Sequence, residues 1–238
     1  MAWRDGKASR GRLLLFMASI ILGIAAVVSI QLFSDNLKQN IQKQSKSLMG
    51  ADFLIDSNDL PTERTDFIID SLGGADASEV TFSSMGAFPK NDGAKLIRVR
   101  GIEGGFPFYG KLITEPPSAG ETYQQQGGAV VDATMLLQFD VQVGDSIKIG
   151  KLTLPIVGAL KSIPGSSAIS SSVAPTVLIP FDLISRTELL QVGSRKEYQY
   201  YFKSPETDLE LLEETVDPQL DDENADIDTH TSTSRRLG

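Results

Sequence analysis

Residues 13–33 (LLLFMASIILGIAAVVSIQLF) carry no charge and no proline across 21 positions. As a helix at ~1.5 Å rise per residue the run is roughly 31 Å long, matching the ~30 Å hydrocarbon core of a bilayer. Arg4, Lys7, Arg10 and Arg12 precede it. A basic flank is retained on the cytoplasmic side, so the sequence predicts a cytoplasmic tail over 1–12, a membrane span over 13–33, and all that follows outside the cytoplasm. Two other readings compete. A cleaved signal peptide has a shorter apolar core, about 7–15 residues, with a small-x-small exit; this run instead leaves through Gln31, Leu32 and Phe33. The buried helix of a soluble protein is the other, and its apolar run is more often about 10–14 residues. Ser19, Gly23, Ala26 and Ser29 recur every three or four positions along the span. That face allows close approach of another membrane helix, although small residues are common in any such helix.

The helical pattern continues outward. Residues 34–49 contain no proline or glycine, with Leu37, Ile41 and Leu48 at helical spacing, which predicts a stalk that Gly50 ends. Residues 50–234 are then long enough for one domain or two subdomains with cores of their own. The net charge of −9 argues against nucleic acid, whose phosphates need clustered Lys and Arg. With no cysteine, disulfides and thiolate metal sites are excluded, while the redox compartment stays open.

Within the domain, a strand is expected over 51–56 and a helix over 61–72, with Phe67, Ile68 and Leu72 on one side and Gly73-Gly74 closing it. Strands over 77–88 and 95–102 flank the turn Lys90-Asn91-Asp92-Gly93. Alternation from Lys95 to Arg100 predicts one buried face and a wet Lys/Arg face. This β-α-β-β start indicates an α+β class, a mixed α/β extracytoplasmic domain behind one N-terminal membrane helix. Residues 103–128 read as a Gly/Pro-rich connection. Beyond it come a strand at 129–131, a short helix or turn at 133–139 and paired strands at 143–150 and 152–160 around Gly150-Lys151. A Ser-rich mobile loop is expected over 163–172, then a strand at 176–179, a helix at 180–190, an aromatic strand at 197–203, a helix at 209–220 and a strand at 226–231.

Residues for enzyme chemistry are scarce. The single histidine, His230, has no HExxH partner and no G-x-S-x-G elbow accompanies it. Gly105-Phe106-Pro107-Phe108-Tyr109-Gly110-Lys111 imitates a phosphate-binding loop, but Leu112 replaces the hydroxyl that holds Mg²⁺ and Pro107 spoils the converging N–H groups. It reads as a structural turn burying Phe106 and Phe108. Residues 208–228 hold ten acidic residues and no basic one, yet lack the EF-hand order, so a solvated face is the expectation. No catalytic, cofactor-binding or metal-ligating residue is assigned.

Several segments in order resemble the FtsX-like permeases of ABC transporters, with their MacB-like periplasmic core domain. Leu48-Met49-Gly50-Ala51-Asp52 is similar to that family's l-x-G-A-D approach to the first strand. Residues 97–112 (IRVRGIEGGFPFYGKL) resemble the v-x-G-v-e-x-x-y-P-l-x-G-x-l pattern of its large YbbP-like branch, and residues 187–195 (TELLQVGSR) that branch's T-g-L-l-q-x-G-S-R. Residues 129–132 (AVVD), 142–150 (QVGDSIKIG) and 154–158 (LPIVG) match the common v-G-D-x-i-x-l-G … f-x-v-v-G element. The resemblance implies a non-enzymatic permease subunit of the plasma (inner) membrane. ATP would be bound by a separate cytoplasmic ATPase, and other permease helices, a second permease copy and membrane lipid would be partners. Lipids, lipoproteins or other hydrophobic compounds would be substrates. Family members continue into further membrane helices, so 235–238 is expected to approach a missing second helix and the chain to be a truncated permease. A single-pass sensor or adaptor ectodomain is the alternative, and a signal-anchored hydrolase a third.

Overall fold

The computed structural model describes residues 2–164, 174–190, 195–205, 207–220 and 223–230. They divide by tertiary contact into two units, Met1–Gln44 and Ser45–Gly238. The first lies within helix α1, Ala2–Met49. It is the one helix among the described residues long and apolar enough to cross a membrane, and none of its apolar window is buried. Leu15, Phe16, Leu22 and Ile30 are all exposed among the described residues, unlike the mostly buried core helix of a soluble protein.

Helix α1 stops where expected. Gly50 has φ +79°, its N–H donates to Lys46 O at 2.8 Å, and a Cβ there would lie 2.7 Å from the Phe106 ring. Only glycine accepts both the left-handed backbone and the close ring.

The second unit is built on a ten-stranded sheet. Its strands are β1 Phe53–Ser57, β2 Ala77–Phe88, β3 Gly93–Gly104, β4 Ile113–Glu115, β5 Ala129–Asp132, β6 Ser146–Ile149, β7 Leu152–Ser162, β8 Thr176–Pro180, β9 Lys196–Phe202 and β10 Ala225–Thr229. The order is β10-β1-β9-β2-β3-β8-β5-β7-β4, with β6 pairing β2 and β7 off that path. β3–β8 and β5–β7 are parallel and the other pairs antiparallel. The β2–β3 hairpin runs in unbroken register from Ala77↔Gly104 to Phe88↔Gly93, as the Lys90–Gly93 turn chemistry requires.

Successive side chains in a strand point to opposite faces, and here the faces differ. On the back, Val80, Phe82, Ile97, Val99 and Val177 form one cluster. Beside it, Phe53, Ile55 and Phe202 form another with helices α2 (Glu63–Ser71) and α6 (Leu209–Leu220). Tyr200 packs against both, so the back is apolar from β1 to β8. On the front, Leu54, Ile102, Phe106, Tyr123 and Leu178 form a smaller cluster under helix α3 (Ala119–Gln126). A register shift between Ala129 and Val130 against β7 lets that strand give Ile156 to the back and Leu160 to the front. Helix α4 (Ala133–Gln138) is capped by Asp132, which accepts from Thr134 N at 2.9 Å.

Several expectations need correction. Phe67 does not face the core: it is 72% exposed, and Thr65, Ile68 and Ile69 form the buried side of α2, capped by Thr62. The 103–128 stretch hides β4, where only Thr114 is buried, and α3, where only Ala119 and Tyr123 are, too few to show periodicity. The 180–190 helix is a 3₁₀ turn, Phe181–Leu183, and a single helical turn α5, Ile184–Thr187, because Glu188 turns left-handed at φ 55°. One sheet runs through all three core clusters. Most of the 163–172 loop, residues 191–194 of the TELLQVGSR motif and the approach to a second helix lie outside the described residues.

Candidate functional site: the Asp52 junction and the adjoining groove

Two motif segments far apart in sequence meet at Asp52, which is fully buried on the front face. Lys46, in the last turn of α1, places Nζ 2.7 Å from Asp52 Oδ1. A cation there also suits the negative end of the helix dipole. The Tyr109 hydroxyl donates to Asp52 Oδ2 at 2.8 Å, and Lys46 Nζ lies 5.2 Å from the Tyr109 ring centre. Loss of solvent, then the hydrogen bond and charge of Asp52, push that hydroxyl up to about 12, so it stays protonated and donating. The Asp52 carbonyl is taken by His230, whose backbone N–H donates at 3.3 Å and whose Nδ1 lies at 3.0 Å. A carbonyl only accepts, so Nδ1 carries the proton. Asp52 N–H donates to Phe202 O on β9 at 3.0 Å. The end of α1, the 105–112 loop, the central sheet and the residue following β10 are thus all held by one buried aspartate.

The imitation phosphate loop is consumed by this junction. The Phe108 and Tyr109 N–H groups donate to Gly50 O at 2.8 and 3.2 Å rather than converging on an anion. Phe106 is buried and Phe108 packs partly buried beside it, as the turn reading requires.

Next to the junction lies a groove of about 970 Å³, walled at one end by Leu48, Met49, Leu54 and Phe106. Its floor holds a buried ion pair. Arg100 Nη2 donates to Glu79 Oε2 at 2.6 Å and Nε to Glu79 Oε1, while Thr81 Oγ1 donates to Oε1 at 2.7 Å. The Tyr201 hydroxyl lies 3.0 Å from Glu79 Oε2 and 2.6 Å from Gln199 Oε1. Burial pulls the Arg100 guanidinium down, but the charge and hydrogen bonds of Glu79 outweigh it and hold the group above its ordinary value. Burial and then Glu79 push the Tyr201 hydroxyl well up. The wet Lys/Arg face is therefore corrected: Arg98 is exposed, whereas Arg100 on the same face is buried with a carboxylate. Hairpin register would have found it, because Glu79 and Arg100 sit diagonally on neighbouring strands.

Residues 13–219 match the MacB-like periplasmic core domain family. The chain belongs to that family. Among its relatives is the "Uncharacterized ABC transporter permease YbbP" of Escherichia coli (strain K12), 28% identical over 220 residues, 92% of this chain and 26% of that protein. The chain thus spans about a quarter of that relative's length. Among solved structures, the periplasmic region of MacB from Actinobacillus actinomycetemcomitans is 10% identical, covering 79% of this chain and 94% of that one with a TM-score of 0.48. The extracellular domain of the noncanonic ABC-type transporter YknZ from Gram-positive bacteria is 13% identical, covering 74% and 100% with a TM-score of 0.40.

In this family member Ser19, Gly23, Ala26 and Ser29 are exposed on α1, and a Cβ on Gly23 would meet nothing within 4 Å. Arg4, Lys7, Arg10 and Arg12 lie in α1 with side chains outside the described residues. The structure brings neither set to the Asp52 junction. Sequence reading passed over Asp52, Lys46 and Tyr109 as a set, although Gly50-Ala51-Asp52 and the Phe106–Gly110 segment both lay within the motifs that carried the resemblance. No group of acids and histidines that could hold a metal occurs among the described residues.

Proposed function

We propose that the chain is the membrane-anchored, extracytoplasmic part of an ABC transporter permease, non-enzymatic itself, with its N-terminus in the cytoplasm. A separate cytoplasmic ATPase hydrolyses ATP, and the resulting movement travels along α1 into the outer domain. Lipids, lipoproteins or other hydrophobic compounds are the substrates. Family membership and the long apolar helix α1 support this reading. The observation that carries the coupling part is Asp52, which ties the last turn of α1 to the 105–112 loop and to His230. A packed set of hydrogen bonds passes on displacement where a flexible linker would absorb it.

A Gly/Ser insertion near Gln42 in the complete permease, assembled with its ATPase in liposomes, tests it. ATP hydrolysis should persist while substrate movement stops. Unchanged substrate movement would remove α1 from the pathway.

A further inference from the structure

At the groove end away from Leu48 and Met49, four polar residues fall in one row across neighbouring strands. The registers pair Ser83 with Arg98 and Arg98 with Thr176. Arg195 immediately precedes Lys196, which pairs with Phe82, so the continued register brings Arg195 beside Ser83. All four line the groove. Among the described residues neither arginine has a carboxylate within ion-pair reach. The nearby acids are committed elsewhere: Glu79 holds Arg100, and Glu197 accepts from Gln199 Nε2 at 2.7 Å. In a chain of net charge −9, two unpaired guanidinium groups facing one cavity are not a general excess of base.

We propose that this groove binds an oxyanion, phosphate or carboxylate, borne on an apolar chain. Arg98 and Arg195 take its oxygens together with the Ser83 and Thr176 hydroxyls, and the chain lies toward Leu48, Met49, Leu54 and Phe106. Guanidinium forks match paired oxygens, which single ammonium groups do not. Leu48, Met49, Leu54 and Phe106 line the same groove as Ser83, Arg98, Thr176 and Arg195, so one ligand can meet an apolar wall and paired donors together, as an amphiphile requires and a free ion does not. This goes beyond the coupling reading. Binding needs no ATPase, so either statement can fail alone.

The test is calorimetric titration of the full chain, held in a neutral maltoside detergent, with hexyl phosphate, inorganic phosphate and a hexaglutamate peptide. Hexyl phosphate should bind, and inorganic phosphate more weakly. Arg98→Gln with Arg195→Gln should weaken hexyl phosphate about a hundredfold, about tenfold per arginine. Both residues are exposed, so the variant should keep the parent's thermal transition, and Arg64→Gln on α2 should bind as the parent does. Equal affinity for inorganic and hexyl phosphate would overturn the apolar part of the site. Binding of the peptide alone, or hexyl phosphate binding indifferent to the double variant, would overturn the proposal.

Discussion

The two faces of the sheet do different work. The back is apolar from β1 to β8 and covered by α2, α4, α5 and α6, and every strand it uses contributes side chains with almost no exposure. The front is apolar only under α3 and the 105–112 loop. It also carries Asp52, which pairs with Lys46, the buried Glu79–Arg100 ion pair, Asp56 and the exposed Arg98, beside an open groove. Burying apolar area stabilises at ~25 cal/mol per Å², whereas a buried ion pair roughly breaks even after desolvation. The back therefore holds the fold, and the front is free to carry groups chosen for connection and binding.

The largest effect should come from the back. Phe88→Ala, at a fully buried side chain, should lower stability by about 4 kcal/mol in urea denaturation, through lost transfer energy plus a cavity. A loss near zero would break the contrast. On the front, Glu79→Leu should cost about 3 kcal/mol by leaving Arg100 buried and unpaired, while Glu79→Leu with Arg100→Met should return close to the parent. If the double variant is as unstable as the single, the pair is itself a stabiliser and the contrast narrows.

A smaller, pH-dependent effect lies at the acidic edge. Asp56 pairs in register with Asp226, and burial, then Asp228, Asp226 and Glu197, raise its carboxyl to about 6. Its folded value exceeds the unfolded one, so between about pH 6 and pH 4 the native chain binds more protons and stability rises as pH falls. Asp56→Asn should remove that slope and be more stable at pH 7, by no more than about 1 kcal/mol because the site is partly solvated. Thermal melts across pH 4–8 read both; a stability that falls on acidification through this window in the parent alone would contradict the sign.

Much of the fold was legible because long elements repeat their signals. The apolar run, its extension to Met49 and the β2–β3 hairpin each carry many consecutive residues in one period. Alpha3 and β4 were invisible because eight and three residues give a period no room. The site was legible in part. Motif order marked Gly50-Ala51-Asp52, but its partners lie 57 and 178 residues away, which no local pattern can report. Arg100 was misplaced because alternation assigns charge to solvent unless the facing strand's register is followed to Glu79.

The most direct test is amide hydrogen exchange in the Asp52→Ala chain. The amides of Gly50, Phe108, Tyr109 and His230 all sit in hydrogen bonds at the junction, and Val99 and Val177 lie in the back cluster. Gly50, at the end of α1, and Phe108 and Tyr109, in the loop, should lose protection together, because alanine removes the carboxylate that holds Lys46 and the Tyr109 hydroxyl. His230, bonded to the residue-52 carbonyl that alanine keeps, should change less, and Val99 and Val177 should keep theirs. Loss at one segment alone, or equal loss across both faces, would contradict Asp52 as the tie between the end of α1 and the domain.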